Sequence, residues 1–175
     1  RQMGRSWLLK QYGDTWAVLH GGATKGQISA FLMIPTHQFA VTVLTNAEAG
    51  GILHDAVVAR ILQHYFNLRE PEMTYLQMGQ DELGKYAGTY EARSARLELY
   101  SYDGQMMVQM TPLGGFPDKD SPPPPPPPPS RLAFFGPDQA VALDEPLIHT
   151  KCEFLRDDAG RIQWLRTSRL HRRLE

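Results

Sequence analysis

The chain is poor in the features that most quickly assign a function. A single cysteine, Cys152, excludes an internal disulfide and fits a reducing compartment or a secreted bacterial protein equally well. No apolar run approaches the roughly 20 residues needed to cross a bilayer. Charge is nearly balanced, with 18 basic against 19 acidic residues, so nothing points to capture of nucleic acid. Six histidines are scattered without a His-Glu-x-x-His or Cys/His cluster, which argues against a metal. Asp157-Asp158 and Asp118-Lys119-Asp120 are turn-like pairs without the spacing of a calcium loop. No Gly-Lys-Ser/Thr phosphate loop occurs, and no cofactor is expected. The chain opens at Arg1 instead of Met, so a C-terminal fragment is expected, with any targeting segment upstream.

What is present is a chain of 175 residues, 42% hydrophobic and 21% charged, enough for one domain or two small ones. Residues 5–46 read as antiparallel strands at Ser6–Leu9, Trp16–Leu19, Gln27–Ile34 and Phe39–Thr45. The last is β-branched and almost continuously apolar, which predicts burial on both faces. Gly50-Gly51 precedes a helical pattern over 52–66, with Leu53, Val57, Ile61 and Tyr65 on the apolar side and His54, Asp55, Arg60, Gln63 and His64 on the polar side. Tyr65 and Phe66 read as core. Residues 69–81 read as a linker. From residue 82 the pattern changes to about seven short strands, with Asp103-Gly104 and Ala159-Gly160 as hairpin turns. The fold class expected is α+β: strands and a helix over 1–68, then a small antiparallel β-barrel over 82–175.

Two further features stand out. Pro122 to Pro129 form an unbroken proline run, which can donate no ladder hydrogen bonds and should be an extended rod of about 25 Å, read here as a connector. Arg161, Arg166, Arg169, Arg172 and Arg173 crowd the end of the chain and read as a solvated strand edge.

The sharpest local motif is Leu19-His20-Gly21-Gly22-Ala23-Thr24-Lys25-Gly26-Gln27, where glycines at the end of one strand let another backbone come close. With Tyr12-Gly13, Trp16, Pro35, Leu44-Thr45-Asn46 and the helix that follows, it resembles the C-terminal end of class C β-lactamase-related serine hydrolases. That family includes esterases, D-amino-acid peptidases and penicillin-binding proteins. The resemblance implies a β-lactamase-like domain in which His20 takes the family's Lys/His position and Gly22 its small position. It implies that Ala23 supplies a backbone N–H for an oxyanion. His20, Gly21, Gly22 and Ala23 would then wall a cleft for an acyl substrate: an ester, a β-lactam or a D-peptide. A periplasmic or secreted location follows from the family, with the cytoplasm left open.

The family's nucleophile motif, Ser-x-x-Lys, is absent. The residues three positions after Ser6, Ser29, Ser94, Ser101, Ser121, Ser130 and Ser168 are Leu, Leu, Leu, Gly, Pro, Ala and His. Tyr65-Phe66-Asn67 has the letters of the family's Tyr-x-Asn element but follows His20 when it should precede it. The expectation is therefore a hydrolase fragment without turnover of its own. The second block, opening at Leu83-Gly84-Lys85-Tyr86-Ala87-Gly88-Thr89-Tyr90, resembles the lipocalin-like domain that follows the catalytic domain in some members. The alternative reading is a non-catalytic β-barrel module for binding or oligomerisation. A fragment should leave apolar surface uncovered, so partners expected are a homo-oligomer or an N-terminal catalytic portion, with neither nucleic acid nor membrane.

Overall fold

The computed structural model describes all residues except 1, 4, 5, 25, 48, 71, 116, 117 and 175, and the backbone alone at 2 and 3. It is α+β, with an antiparallel sheet in one unit and a closed eight-stranded barrel in the other. The units are Arg1–Glu72 and Met73–Glu175.

In the first unit, β1 (Gln2–Met3), β2 (Leu8–Tyr12), β3 (Thr15–Thr24), β4 (Gln27–Ile34) and β5 (Phe39–Thr45) lie side by side in chain order. A single 3-10 turn, Pro35–His37, joins β4 to β5, and Gln38 closes it in the left-handed region at φ 49°. The helix α1 (Gly50–Phe66) packs on β4 and β5. Between helix and sheet lies a core of Tyr12, Ala17, Leu32, Ile34 and Leu62. Alternation sends Trp16, His20, Gly22, Phe31, Met33 and Leu44 to the opposite face. Trp7, Trp16 and Leu44 stay 39%, 38% and 73% exposed.

Two expectations change here. β5 is an edge strand whose residues alternate between half-buried and exposed, and it is not buried on both faces. The apolar stripe of α1 is also rotated. His54 is buried at 3% exposure, because its Nε2 lies 3.1 Å from Thr45 Oγ1, while Ile52, Leu53 and Tyr65 point outward. Phe66 does pack inward, against the His37 and Phe39 rings.

The second unit opens with α2 (Gln80–Gly84), a short helix where a linker and a strand-only block were expected. Leu83 anchors it in the barrel core. The strands follow as a meander: β6 (Gly88–Ala92), β7 (Ala95–Tyr102), β8 (Gln105–Pro112), β9 (Ser130–Gly136), β10 (Gln139–Ala142), β11 (Lys151–Arg156), β12 (Ile162–Arg166) and β13 (Leu170–Arg173). β13 pairs back onto β6, with Arg172 opposite Glu91 and Arg173 opposite Tyr90, and closure removes both edges. The arginine-rich end is thus the eighth strand and not a free edge.

Asp103 and Gly104 both take positive φ, 49° and 71°, which gives the β7–β8 hairpin a turn matched to strand twist. The interior is filled by side chains. Tyr86, Phe134 and Phe154 interlock with centroids 4.6–5.8 Å apart, and Tyr90, fully buried, donates its hydroxyl to the Tyr86 carbonyl at 2.9 Å. The β8–β9 ladder begins at Ser130, where the prolines stop; upstream, Gln109 Nε2 donates to the Pro127 carbonyl at 2.8 Å in place of a backbone bond.

Candidate functional site

β3 is longer than its neighbour β2, and the candidate site follows from that mismatch. β2 pairs with β3 from Tyr12–Thr15 to Leu8–Leu19 and no further. β4 continues alongside β3 as far as Thr24–Gln27. From His20 to Thr24, then, β3 is paired on one side, and among the described residues no strand pairs it on the other. All five residues are exposed. On such an edge, alternate residues turn their N–H and C=O groups outward, ready for an added strand.

The glycines have a local reason as well. A Cβ at Gly21 would stand 3.1 Å from the Ser29 carbonyl oxygen, and one at Gly22 would stand 3.0 Å from Ser29 Oγ. Ser29 donates its hydroxyl to the Gly22 carbonyl at 3.4 Å. Gly21-Gly22 thus lets the hairpin close tightly on Ser29 and leaves the outer edge free of side chains.

An aromatic group stands beside that edge. The Trp7 ring meets the His20 ring edge-on at 5.8 Å and the Phe31 ring at 5.7 Å. His20 lies opposite Phe31 in the β3–β4 register, so the three rings share the sheet face away from α1. Backbone acceptors and donors on the edge and an apolar wall beside it can hold a short extended peptide or an amino-acid derivative.

The structure therefore brings His20, Gly21, Gly22 and Ala23 together on one strand end, and Lys25 of the same motif lies outside the described residues. Trp7 was not singled out in the sequence, since its link to His20 depends on where β2 begins. No group of three or more His, Cys, Asp or Glu residues that could hold a metal occurs among the described residues. Among them, no helix is long and apolar enough to cross a membrane.

No family model matches the chain, and no curated protein matches it. Solved structures do match. The "Crystal structure of SurE with D-Leu" aligns at TM-score 0.61 and 20% identity, covering 96% of this chain and 38% of that one. The "Crystal structure of SurE" aligns at TM-score 0.60 and 21% identity, covering 96% and 36%. The chain thus spans well under half the length of the SurE chains, and identity this low shows a shared fold.

These findings correct the family expectation. The fold is matched to SurE, and not to a β-lactamase, an esterase or a penicillin-binding protein by name. The class C β-lactamase-related assignment and the acyl-serine hydrolase function attached to it are therefore withdrawn, as is the β-lactamase-like description of the first unit. His-Gly-Gly after a strand is a short pattern, and the tight approach to Ser29 accounts for it without that family. The alternative of a non-catalytic barrel module is not supported by these matches either. The lipocalin label fits only loosely: the barrel has eight strands, but aromatic side chains pack its centre where a ligand cup would lie.

Proposed function

We propose that the chain serves to bind a D-amino-acid residue, free or within a peptide, along the open edge of β3 at His20–Thr24. The observation that carries the reading is the unpaired, exposed and side-chain-poor strand end beside the Trp7, His20 and Phe31 rings. A ligand backbone laid against Gly21-Gly22 adds to the sheet by main-chain hydrogen bonds, and Ala23 N–H is a candidate donor to its carbonyl. In an extended backbone, inverting one α-carbon moves that side chain to the other face of the sheet. An apolar D side chain in the matching register meets the three rings, whereas the L enantiomer turns away. One of the SurE structures is of SurE with D-Leu, which is consistent with this choice of ligand.

The test is an NMR titration of the whole chain with acetyl-D-leucine amide and its L enantiomer. The expected result is saturable shifts at residues 20–24 and 28–31 with the D compound, weaker by about tenfold, or roughly 1.4 kcal/mol, with the L compound. Gly22→Val is expected to abolish the D response while leaving the shifts of the barrel amides unchanged. Equal response to both enantiomers, or shifts confined to other residues, refutes the reading.

A further inference from the structure

We propose that the barrel carries a second, separate binding site for a phosphate monoester, in the cavity that β13 forms with β12 and the segment leading into β6. The cavity is shallow and open to solvent, with a volume of about 680 Å³. Its walls carry the cationic side chains Lys85, Arg156, Arg161, Arg172 and Arg173.

Among the described residues of the barrel, Arg93, Lys119 and Arg169 also form no ion pair, so what sets this cluster apart is that its unpaired cations line one pocket together with two paired arginines. Arg96 is bound to Glu91 at 2.8 Å, Arg131 to Asp144 at 2.6 Å, and Arg166 to Glu153. Within the cavity, Arg156 and Arg161 follow the same pattern, held by Asp138 at 2.7 Å and Asp157 at 2.9 Å. Lys85, Arg172 and Arg173 do not: among the described residues none of them forms an ion pair. Arg172 stands opposite Glu91 across β13–β6, but that carboxylate already accepts from both Nε and Nη2 of Arg96. Among the described residues, three cations on the lining of this pocket therefore have no ion-pair partner.

Arg173 is also fixed in place. Its guanidinium donates to the Lys85 and Ala87 carbonyls and lies 5.7 Å from the centre of the Tyr90 ring. It crosses the chain at Gly88, whose φ is +140° and where a Cβ would stand 3.2 Å from Arg173 Nε. A guanidinium held by carbonyls and an aromatic face loses little further freedom when an anion arrives.

The charge count selects the ligand class. A phosphate monoester is largely dianionic at neutral pH and has three acceptor oxygens, a closer match to three cations than a monocarboxylate offers. Ile162 and Leu174, on the same walls, supply apolar surface for the organic group.

The experiment is calorimetric titration of the full chain with phenyl phosphate, inorganic phosphate and benzoate, repeated on a Lys85→Gln/Arg172→Gln variant. Both substituted side chains lack an ion pair, so the barrel is expected to fold unchanged, as its far-ultraviolet circular dichroism would report. The expected result is saturable binding of phenyl phosphate that weakens with salt and falls by about tenfold or more in the variant. Inorganic phosphate and benzoate bind more weakly. No saturable binding, binding unchanged in the variant, or benzoate as tight as phenyl phosphate overturns the site. Inorganic phosphate as tight as phenyl phosphate overturns the monoester.

Discussion

Replacing Gly50 with alanine puts a methyl group where the first unit has no room. A Cβ there would lie 1.8 Å from Thr45 Oγ1 and 2.8 Å from Thr45 Cβ, so rotating the threonine relieves only part of the clash. Thr45 Oγ1 is also the partner of the buried His54, at 3.1 Å, and donates to the Ile28 carbonyl at 3.4 Å. Displacing it leaves His54 unpaired, at a cost of about 1–3 kcal/mol. Overpacking between β5 and the start of α1 adds about 1–3 kcal/mol. Alanine returns at most about 1 kcal/mol through helix propensity. The expected net loss is about 3 kcal/mol, confined to the first unit. A global melt would mix the two units, so the measurement is native-state hydrogen exchange of the β4, β5 and α1 amides. Thr45→Ala removes the nearest atom, and the double variant should recover about 1–2 kcal/mol relative to Gly50→Ala. Unchanged protection in Gly50→Ala, or a double variant no better than that single one, refutes the reasoning.

Two further outcomes follow from the barrel core. Cys152 is 7% exposed and burial pushes its thiol up to about 12, so a maleimide should leave it unmodified in the native chain at pH 8 and react promptly in urea; fast native labelling counts against the packing described. His171 is 4% exposed, its Nδ1 has no partner, and desolvation lowers its pKa below the ordinary 6.5, although backbone bonds to Leu165 and Arg169 oppose this. The unfolded chain then binds the proton first, so this contribution is complete above pH 6.5 and is lost as pH falls below it, by up to about 1.4 kcal/mol per unit. Denaturant unfolding of the barrel between pH 7.5 and 5 should show a shallower decline in His171→Leu than in the parent chain; identical slopes would remove His171 from the account.

Much of the architecture could be read from alternation and turn chemistry. The strands from Trp16 to Thr45, the helix after Gly50 and most of the barrel meander carry their periods openly. β13 does not, because its inward residue is His171 and its neighbours Arg172 and Arg173 are charged, so an apolar pattern has nothing to register. Only the closure of the barrel explains why a strand forms there. α1 was placed correctly but turned by about one position, since a threonine on β5 rather than hydrophobicity decides that His54 faces inward.

The same limit applies to the sites. His20-Gly21-Gly22 is visible as letters, but its open edge depends on β2 starting at Leu8, which no local signal marks. The cationic cavity draws on Lys85 and on residues from Arg156 onward. Sequence places these far apart, and the β13–β6 ladder brings them together.

That ladder also bears on how the protein is made. Strands β6 to β12 can pair with their sequence neighbours as each emerges from the ribosome, but the barrel cannot shut until Leu170–Arg173 has cleared the exit tunnel. Until then β6 and β12 both present bare ladders to the surroundings of the nascent chain. Those four residues, weak in any hydrophobic signal, act as the latch of the barrel, and a chain cut just before them would be a sheet with two adhesive sides.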